Sequence, residues 1–556
     1  MARGNVYNAL VPSLIDNTDN LAPPDTRAEI DNIITGNGND VVHGNDVFNT
    51  IRLGNGNDHV ILGSGGGFVT TGTGSDIIEG SIGPTNTLDY RWETLPIVVS
   101  IAGNQVIKEL VNSSTETDQF SNVQDFIGGS GNDTFVSIHG PHAFDGQGGI
   151  NTLDESLETS ATFDLQTGQV RKALGPFPDG VDTFVNIQNF IGGSARSTFI
   201  SNIGTNTFEG GSGAFNRLDY SWDNQKVTID VGNLVVHKVL SPDGTTDDTF
   251  SNIRDFIGGS GDDRFISAIG SFTFDGGPGS NTLDYGSETG PVVISLIAGT
   301  ATKNNGADGT DNFSNIQSFI GGSGNDTLIA GPGSHSFDGN GGSDTAVFHG
   351  PRSEYAITLS VDLSGALRSH VVDQGAAGDG TLDLVRVGQL QFTDITIDPA
   401  KTPPTVVADR AGVNVGSSVS TDAAHGVLAN DMDPISGDTL HVSAVNGQGL
   451  VNNTITVAGT FGSLTLNSDG SYTYTAPSSD VLPASGVAED VFTYTAITGQ
   501  GGTATSTLTV TVTAAGLDYI GPTPGSSVIT VQPATLLFST VVPETSHSLQ
   551  LTAPRC

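Results

Sequence analysis

Apolar residues recur with a period of nine near the start of the chain. Residues 35–79 divide without a gap into TGNGNDVVH, GNDVFNTIR, LGNGNDHVI, LGSGGGFVT and TGTGSDIIE. Each nonapeptide combines a glycine-rich polar half with an apolar eighth position, which predicts a tight turn followed by a very short strand. Stacked units of this kind bury their apolar side and form a β-solenoid. The interior positions predicted in this way are Val42, Ile51, Val60, Val69 and Ile78.

A longer repeat, of about 65 residues, follows these nonapeptides. The block Asn-x-Leu-Asp begins at Asn86, Asn151, Asn216 and Asn281. Nonapeptides recur inside the repeat, for example GGSGNDTFV, SIHGPHAFD and GQGGINTLD over residues 128–154. The rest of each unit alternates apolar and polar residues around Gly and Asn, which predicts irregular strand turns added to the same solenoid.

The pattern changes after Asp344 to segments typical of a closing cap, and a proline-bearing linker, KTPPT, follows. Alternating segments such as GSLTLNSDGSYTYTA and TSTLTVTVT then predict an antiparallel sandwich. The expected fold class is all-β, a solenoid followed by a β-sandwich. The expected parts are a poorly ordered leader (1–30), a nonapeptide solenoid (31–80), four units of about 65 residues (81–345), a cap (346–398), a linker (399–405), a sandwich (406–513) and a C-terminal tail (514–556).

Composition adds a strong acidic bias to this picture. The chain has 75 glycines, and its 60 Asp and Glu residues against 20 Lys and Arg residues give a formal charge of −40. Such a charge repels nucleic acid and an anionic membrane surface, and it favours divalent cations as partners. Regular apolar positions, 36% of the chain, argue against an acidic disordered tract.

Cysteine and membrane signals narrow the class further. The single cysteine, Cys556, excludes an intrachain disulfide and a cysteine metal site. No apolar run approaches the ~20 residues of a membrane span, and the start MARGNVYNALVPSLID lacks the apolar core of a cleavable signal peptide. Export, if it occurs, is expected to use another route.

Calcium is the cation that the glycine-rich turns fit best, because it takes six to eight oxygen ligands from carboxylates, carbonyls and water in flexible geometry. If two nonapeptides complete one coil, Asp40, Asp58 and Asp76, which stand two nonapeptides apart, stack on one side and leave two calcium positions among three turns. Asn49 and Gly67 occupy the same position on the opposite side, where we expect weak or absent sites. The remaining candidates in these turns are Gly36, Gly38, Asn39, Gly54, Gly56, Asn57, Gly72 and Gly74.

The same spacing pairs three further sets of residues in the 65-residue units. Asp133 pairs with Asn151, Asp263 with Asn281, and Asp326 with Asp344, the last pair being electrostatically the strongest. The second unit reads GGSARSTFI, in which Ala195, Arg196 and Ser197 replace the calcium pattern, so no calcium is expected there. The candidate turn glycines that accompany these pairs are Gly129, Gly131, Gly259, Gly261, Gly322 and Gly324.

These nonapeptides resemble the Gly-Gly-x-Gly-x-Asp-x-apolar-x repeats of the RTX (repeats-in-toxin, hemolysin-type) calcium-binding family, over roughly residues 30–398. The resemblance implies a parallel β-roll, type I secretion with a C-terminal export signal, and folding outside the cell when calcium binds. The tail ending SHSLQLTAPRC shows no pattern that identifies such a signal.

The segments VLANDMDPISGDTLHV, LNSDGSYTY and DVFTYTA resemble bacterial cadherin-like or VCBS-type repeats of large surface proteins and adhesins. This resemblance implies an immunoglobulin-like or cadherin-like sandwich. Asp431, Asp433 and Asp438 are either calcium ligands or residues of a polar inter-strand turn.

Two classes of function remain open. The sequence contains no His-Glu-x-x-His zinc motif and no Gly-x-Ser-x-Gly nucleophile elbow. A secreted, calcium-binding surface or matrix adhesin or structural component is the favoured function, with surface polysaccharide or protein as candidate partners. The alternative is a polysaccharide-acting lyase, epimerase or hydrolase on the solenoid.

Overall fold

The computed structural model describes residues 32–174, 177–239, 244–478 and 482–514. The predicted leader (1–30) lies outside the described residues, as does the predicted tail beyond Ala514. The chain divides into two compact units, Met1–Ala400 and Lys401–Cys556. Described helices are four 3-10 turns of three residues each, Asn304–Gly306, Arg352–Glu354, Pro399–Lys401 and Ala423–His425. No helix in the described part of the chain has the length and apolarity needed to cross a membrane.

The first unit consists of many short strands. In chain order these are β1 (Asn32–Ile34), β2 (Val41–His43), β3 (Asn49–Arg52), β4 (His59–Ile61), β5 (Gly67–Thr70), β6 (Ile77–Glu79), β7 (Asn86–Asp89), β8 (Ile97–Ser100), β9 (Gln105–Glu109), β10 (Thr115–Ser121), β11 (Asp125–Ile127), β12 (Thr134–Val136), β13 (Ala143–Asp145), β14 (Thr152–Asp154), β15 (Ser160–Asp164), β16 (Gln169–Leu174), β17 (Phe177–Val185), β18 (Asn189–Ile191), β19 (Thr198–Ile200) and β20 (Thr207–Glu209).

The strands of the first unit continue with β21 (Asn216–Asp219), β22 (Val227–Asp230), β23 (Val235–Val239), β24 (Thr245–Ser251), β25 (Ile253–Ile257), β26 (Arg264–Ile266), β27 (Thr273–Asp275), β28 (Thr282–Asp284), β29 (Val292–Ser295), β30 (Thr300–Lys303), β31 (Thr310–Ser314), β32 (Ser318–Ile320), β33 (Thr327–Ile329), β34 (Ser334–Asp338), β35 (Thr345–Val347), β36 (Tyr355–Val361), β37 (Leu367–Asp373), β38 (Thr381–Val385), β39 (Gln389–Gln391) and β40 (Thr396–Ile397).

The N-terminal strands form a solenoid in which two nonapeptides make one coil. Parallel pairing aligns Ile33 with Ile51 and Ile51 with Val69 on one face, and Val42 with Val60 on the other. The five predicted interior residues are all buried, with exposed fractions of 4% or less. The predicted parallel solenoid is therefore confirmed, because a nonapeptide carries one turn and one strand, and two nonapeptides close one coil.

Each 65-residue unit adds an antiparallel triplet of strands to one of the two solenoid sheets, where the sequence predicted irregular strand turns. In the first unit β9 runs antiparallel to both β8 and β10, while β10 pairs in parallel with β6 and β8 with β12. The triplet therefore continues the sheet without interrupting the stack. The later units carry the triplets β15–β17, β22–β24 and β29–β31, which alternate between the two sheets. A further antiparallel triplet, β36–β38, lies in the predicted cap.

Stacked aromatic side chains fill the interior of the coils formed by the 65-residue units. Phe126, Phe135 and Phe144 are almost fully buried, and their ring centroids lie 5.2–6.1 Å apart. Burying one such side chain stabilises the fold by roughly 1.5–3 kcal/mol. Phe144 therefore packs against aromatic rings from two strands, β11 and β12.

Residues 401–514 form a β-sandwich, as predicted. Its strands are β41 (Asp409–Asn414), β42 (Ser418–Thr421), β43 (Ile435–Ser436), β44 (Leu440–Val445), β45 (Gln448–Gly449), β46 (Thr454–Ala458), β47 (Ser463–Asn467), β48 (Tyr472–Thr475), β49 (Val487–Thr498) and β50 (Thr503–Thr513). One sheet has the order β41-β50-β49-β44-β45 and the other β42-β48-β47-β46. Within these sheets the paired strands are antiparallel except for the parallel pair β41 and β50. Alternate residues of β47, β49 and β50 point into a shared core, including Leu464, Phe492 and Leu508.

Candidate metal centre

Three aspartates form a ladder along one side of the N-terminal coils. The backbone N–H of Asp40 donates to Oδ1 of Asp58 at 2.8 Å, and that of Asp58 donates to Oδ1 of Asp76 at 2.9 Å. Asp76 continues the ladder by donating its N–H to Oδ1 of Asp118 at 2.9 Å. All four side chains are buried. The turns therefore stack the predicted aspartates directly above one another.

The second oxygen of each ladder aspartate is buried and has no hydrogen-bond partner. These atoms are Oδ2 of Asp40, Oδ2 of Asp58 and Oδ2 of Asp76. Burial raises the pKa of Asp58, and burial together with the negative charge of Asp118 raises the pKa of Asp76 to about 7. A buried carboxylate oxygen without a donor is costly, so each needs either a proton or a cation.

Glycine is required where consecutive turns of the ladder touch. A Cβ on Gly54 would lie 1.8 Å from the carbonyl oxygen of Gly36, and a Cβ on Gly72 would lie 1.5 Å from that of Gly54. Gly56 has a φ of 134°, a conformation that other residues rarely adopt. The glycines thus bring backbone carbonyls of one turn directly against the next turn, beside the ladder aspartates.

The ladder ends at a lysine that the nine-residue pattern does not predict. Lys108 lies on β9 with a fully buried side chain, and its Nζ is 2.9 Å from Oδ1 of Asp118. The same Nζ donates to the carbonyl oxygens of Gly72 at 2.9 Å and Gly74 at 2.7 Å. One carboxylate and two turn carbonyls therefore surround a positive charge here. The equivalent carbonyls one coil earlier belong to Gly54 and Gly56.

The predicted pairs Asp133–Asn151 and Asp263–Asn281 also stack. The N–H of Asp133 donates to Oδ1 of Asn151 at 2.8 Å, and that of Asp263 donates to Oδ1 of Asn281 at 3.0 Å. Both oxygens of Asp133 accept backbone hydrogen bonds, from Ile97 at 3.0 Å and from Gly129 at 2.7 Å. Asp263 is held in the same way by Val227 and Gly259. These carboxylates have backbone donors, unlike Oδ2 of the ladder aspartates, and burial raises the pKa of Asp133 and of Asp263 to about 6. Calcium at these two pairs stays a prediction.

The asparagine amides meet the turn carbonyls in these pairs. Nδ2 of Asn151 donates to the carbonyl oxygens of Gly146 and Gly148 at 2.8 and 2.9 Å, and to that of Asn186 at 2.9 Å. Nδ2 of Asn281 likewise donates to a turn carbonyl oxygen, that of Gly277, and to the carbonyl oxygen of Asn315. An amide thus does at these turns what a cation would do, without a charge.

At the position where Asn151 has an NH₂ group that donates to turn carbonyls, Asp344 has a carboxylate oxygen, which can only accept. The N–H of Asp326 donates to Oδ1 of Asp344 at 2.8 Å, as predicted for this pair, while Oδ2 of Asp344 is buried without a hydrogen-bond partner. A Cβ on Gly339 would lie 2.3 Å from that Oδ2 and 2.9 Å from the carbonyl oxygen of Arg386. Burial raises the pKa of Asp344 to about 7. Asp326 itself accepts from the backbone of Val292 and Gly322.

The turn expected to lack calcium has a neutral side chain in the aspartate position. Oγ of Ser197 accepts a hydrogen bond from the backbone of Gly193 at 2.9 Å, and the N–H of Ser197 donates to Oδ1 of Asn216 at 2.8 Å. With an uncharged group, Ser197 therefore makes the contacts that Asp133 makes to Gly129 and Asn151 in the unit before it. On the opposite side of the N-terminal coils, Oδ1 of Asn49 accepts from the backbone of Asn45.

Across residues 32–174, 177–239, 244–478 and 482–514, no three His, Cys, Asp or Glu side chains gather around a common point suited to a metal ion. A cation in the ladder would therefore take its further ligands from backbone carbonyls and water, which is compatible with calcium and less so with zinc. Carbonyls of this kind already surround Lys108.

Of the three acidic candidates in the sandwich, one has an oxygen without a donor. Asp431 accepts from the backbone of Val407 and from the hydroxyl of Tyr494. Asp438 accepts from the backbone of Thr439 and Gln500. Oδ1 of Asp433 accepts from Ile435, whereas Oδ2 of Asp433 is buried without a hydrogen-bond partner. Both carboxylate oxygens of Asp431 and of Asp438 thus have hydrogen-bond donors, as expected for residues of a polar turn.

Residues 401–514 match the family model of the bacterial cadherin-like domain. Residues 401–514 form a bacterial cadherin-like domain. Such a domain indicates an extracellular role in adhesion or in a structural assembly. The match leaves the solenoid of the first unit unassigned, so the RTX character of the nonapeptides remains an inference from their sequence.

Comparisons of the whole chain carry less information. No curated protein sequence matches it. An endo-fucoidan hydrolase, MfFcnA9 from glycoside hydrolase family 107, is similar over 28% of this chain and 25% of that one, with 13% identity and a TM-score of 0.13. Extracellular cadherin domains 1–4 of protocadherin gamma B7 are similar over 29% of this chain and 41% of that one, with 11% identity and a TM-score of 0.12. At these scores neither likeness supports an argument about function.

Proposed function

We propose that the protein is a secreted, RTX-type calcium-binding component of a bacterial surface or extracellular matrix, with an adhesive or structural role. Calcium completes the N-terminal coils outside the cell, and the cadherin-like domain follows the solenoid. Candidate partners are surface or matrix polysaccharides and proteins. The acidic charge of −40 suits a chain that meets divalent cations and avoids nucleic acid.

The observation that carries the proposal is the row of donor-free oxygens on the ladder. Oδ2 of Asp40, Asp58 and Asp76 is buried in each case beside turns that present backbone carbonyls. Calcium binds carboxylate and carbonyl oxygens together and cancels the repulsion between stacked aspartates. Two ions fit among the three turns, and Asp58 lies between them.

Lys108 supports this assignment from within the chain. One coil beyond the last proposed calcium position, its ammonium group is bound by Gly72 and Gly74 carbonyls and by Asp118. The cage of Lys108 consists of Asp118 and the carbonyls of Gly72 and Gly74. Because the coils repeat, the equivalent groups one coil earlier are Asp76 and the carbonyls of Gly54 and Gly56. Two coils earlier they are Asp58 and the carbonyls of Gly36 and Gly38. The ladder therefore repeats a cation-binding arrangement, and two of its three copies have no cation supplied by a side chain.

We assign a third candidate position to Asp344 for the same reason. Its Oδ2 lies near a turn carbonyl oxygen and has no donor. We assign no calcium to the pairs Asp133–Asn151 and Asp263–Asn281, since backbone amides satisfy both carboxylates and the asparagine amides satisfy the turn carbonyls.

Export follows from the same chemistry. In a cytosol with little free calcium, the ladder keeps uncompensated buried acids and the N-terminal coils are weakly stable. Calcium outside the cell binds only the folded coils and stabilises them by mass action, by about 2.7 kcal/mol per site at a hundredfold excess over Kd. Type I secretion of a loosely folded chain followed by calcium-driven folding fits this behaviour.

The test is a calcium titration of the purified full chain, followed by circular dichroism and by direct counting of bound ions, with magnesium as the control. We expect calcium to increase β-structure and raise the unfolding temperature, with saturable binding that magnesium does not reproduce, since magnesium favours a stricter octahedral geometry. A protein that binds no calcium and has the same spectrum and stability in EDTA would overturn the proposal.

A further inference from the structure

Four of the six lysines in this chain occupy one and the same position of the 65-residue repeat. They are Lys108, Lys172, Lys238 and Lys303, and successive members are separated by one repeat length. Each lies on the middle strand of an antiparallel triplet, namely β9, β16, β23 and β30, and each side chain is fully buried. The other two lysines, Lys226 and Lys401, are exposed.

Every one of these four ammonium groups is paired with a buried aspartate on the third strand of its triplet. Nζ of Lys108 lies 2.9 Å from Asp118, and Nζ of Lys172 lies 2.8 Å from Asp182. The corresponding distances are 2.7 Å for Lys238 to Asp248 and 3.0 Å for Lys303 to Asp311. The side chains of all four aspartates are fully buried as well.

Turn oxygens complete the surroundings of each ammonium group. Lys238 donates to the carbonyl oxygens of Asn202, at 2.8 Å, and Gly204. Lys172 donates to Oγ of Ser137 and to the carbonyl of His139, and Lys303 donates to Oγ of Ser267 and to the carbonyl of Ala268. Lys108 binds Gly72 and Gly74 in the same manner. Each lysine thus lies in a cage of one closely paired aspartate and two neutral oxygens from an adjacent turn, and Lys108 has Glu116 Oε2 at 4.0 Å as well.

We propose that these lysines are resident cations that take the place of calcium in the four coils whose triplets carry a lysine. The solenoid then has two kinds of coil, one completed by calcium and one completed by its own lysines. Calcium dependence is confined to the N-terminal ladder and to Asp344, and the triplet-bearing coils hold together without calcium. This last statement rests on the proposed function, whereas the cation role of the lysines rests on the four cages alone.

Charge and geometry explain why a lysine suits these cages. Its ammonium group has three donors and no acceptor, which matches a cage of three oxygens. A buried ammonium or carboxylate left alone is strongly destabilising, so neither partner of the pair tolerates removal of the other. The triplet supplies both partners from one hairpin, and the cage is complete once that hairpin docks on the turn.

Amine labelling of the full chain tests the proposal without any substitution. The protein is treated with an amine-reactive acetylating reagent in EDTA and in calcium, and each lysine is quantified by mass spectrometry. We expect the four caged lysines to react roughly a hundredfold or more slowly than Lys226 and Lys401 under both conditions, because reaction requires opening of the coil. Caged lysines that react in EDTA as fast as Lys226 would overturn the proposal.

Matched variants test the cation role directly. Lys238→Ala empties one cage, and Lys226→Ala removes an exposed lysine from the same unit. We expect the Lys238→Ala variant to have a lower unfolding temperature than the wild type in EDTA. In calcium its unfolding temperature should return to the wild-type value, and the variant should bind one calcium ion more than the wild type. Equal unfolding temperatures for Lys238→Ala and Lys226→Ala in EDTA would overturn the proposal.

A second pair of variants decides the matter if Lys238→Ala does not fold. Asp248→Asn removes the charge of the cage and keeps its shape, and Asp247→Asn makes the same change at a neighbouring aspartate that is exposed and pairs with His237. Faster labelling of Lys238 in Asp248→Asn than in Asp247→Asn supports the resident cation, and equal labelling contradicts it. Absence of any calcium effect in the wild type would refute the proposed function and leave the labelling result intact, so the two failures are distinguishable.

Discussion

Asp58 receives a backbone hydrogen bond of 2.8 Å from Asp40, one coil earlier in the chain, on one carboxylate oxygen and leaves the other oxygen buried without a donor. The first contact fixes the register between consecutive coils. The second oxygen leaves the stack electrostatically incomplete, since no side chain in the described residues donates a hydrogen bond to it. Asp58 therefore contributes one oxygen to the register of the coils and the other to the proposed calcium positions. A mutation at Asp58 can remove the calcium ligand while keeping the hydrogen bond that fixes the register.

Asp58→Asn is expected to abolish calcium-dependent stabilisation of the N-terminal coils. The asparagine retains an oxygen for the Asp40 amide and provides an NH₂ group for the turn carbonyls, as Asn151 does. Without calcium the variant should be at least as stable as the wild type, and in calcium it should bind two ions fewer. Isothermal titration calorimetry and thermal unfolding with and without EDTA measure both effects.

The control for this variant is Asp46→Asn, which makes the same charge change at an exposed turn aspartate that accepts from Ser64. Surface changes of this kind alter stability by less than about 0.5 kcal/mol. Equal loss of calcium in both variants would show that overall charge, rather than the ladder, governs binding.

Asn151→Asp is expected to introduce a need for calcium at a turn to which we assign none in the wild type. The substitution replaces the donor that meets the carbonyls of Gly146, Gly148 and Asn186 by an acceptor. A buried polar group without a partner costs about 1–3 kcal/mol, and more when charged, so the unfolding temperature in EDTA should fall by several degrees. Calcium should restore part of it.

Asn132→Asp provides the comparison for that experiment, because Asn132 is exposed in the same repeat and its Oδ1 accepts from Ile150. The exposed aspartate keeps this oxygen and should leave the unfolding temperature unchanged. If Asn151→Asp also leaves the unfolding temperature unchanged in differential scanning calorimetry, the amide of Asn151 does not replace a cation at this turn.

The nine-residue period was sufficient to predict the solenoid, its interior positions and the stacking of Asp40, Asp58 and Asp76. Local pattern decides these features, because one turn and one strand fit within a nonapeptide and every coil repeats the last. The sandwich was likewise readable from alternating residues around short turns. Sequence spacing alone could not show which stacked carboxylates already have donors, since the amides of Ile97 and Gly129 reach Asp133 from different parts of the coil.

The triplets and their lysines were missed for a physical reason. A strand that reverses direction inside a parallel sheet has the same alternating pattern as any other strand, so the period does not reveal it. A signal was nevertheless present. The chain has six lysines, and four of them recur at the repeat interval, each followed shortly afterwards by its aspartate, Asp118, Asp182, Asp248 or Asp311. In an acidic chain, a rare cation at a fixed repeat position indicates a buried pair.

Glu155→Gln is expected to stabilise the second 65-residue unit increasingly as pH rises. Glu155 stands where the other units have Tyr90, Tyr220 and Tyr285, and both its carboxylate oxygens are buried without a hydrogen-bond partner. Burial, together with the neighbouring charge of Asp182, raises the pKa of Glu155 well above its usual value. The folded state therefore binds a proton that the unfolded state has released above about pH 4.3.

The sign follows from this difference in proton binding. As pH rises from 5 to 8, wild-type stability falls by up to about 1.4 kcal/mol per pH unit until Glu155 ionises in the folded state, and the glutamine variant lacks this loss. Urea unfolding in saturating calcium at pH 5, 6, 7 and 8 compares the wild type with Glu155→Gln and with Glu209→Gln, an exposed glutamate. Parallel pH profiles for all three proteins would contradict the assignment.

Asp490→Ala is expected to destabilise the cadherin-like domain selectively. Asp490 is buried on β49 and accepts hydrogen bonds from the hydroxyl of Tyr474 at 2.6 Å and from the backbone of Thr460 at 2.7 Å and Phe461 at 3.0 Å. Removing the carboxylate leaves the buried hydroxyl of Tyr474 without this partner and frees the amides of Thr460, which is exposed, and Phe461, which is half-buried, at a cost of roughly 2–4 kcal/mol.

Both tryptophans, Trp92 and Trp222, lie in the solenoid, so their fluorescence reports on the first unit while circular dichroism reports on both. In Asp490→Ala the dichroism transition assigned to the sandwich should move to lower temperature, and the tryptophan transition should stay where it is in the wild type. Glu489→Ala, which truncates the neighbouring exposed residue, should move neither. A shift of the tryptophan transition in Asp490→Ala would mean that the two units unfold together, because the lost hydrogen bonds all lie within residues 401–514.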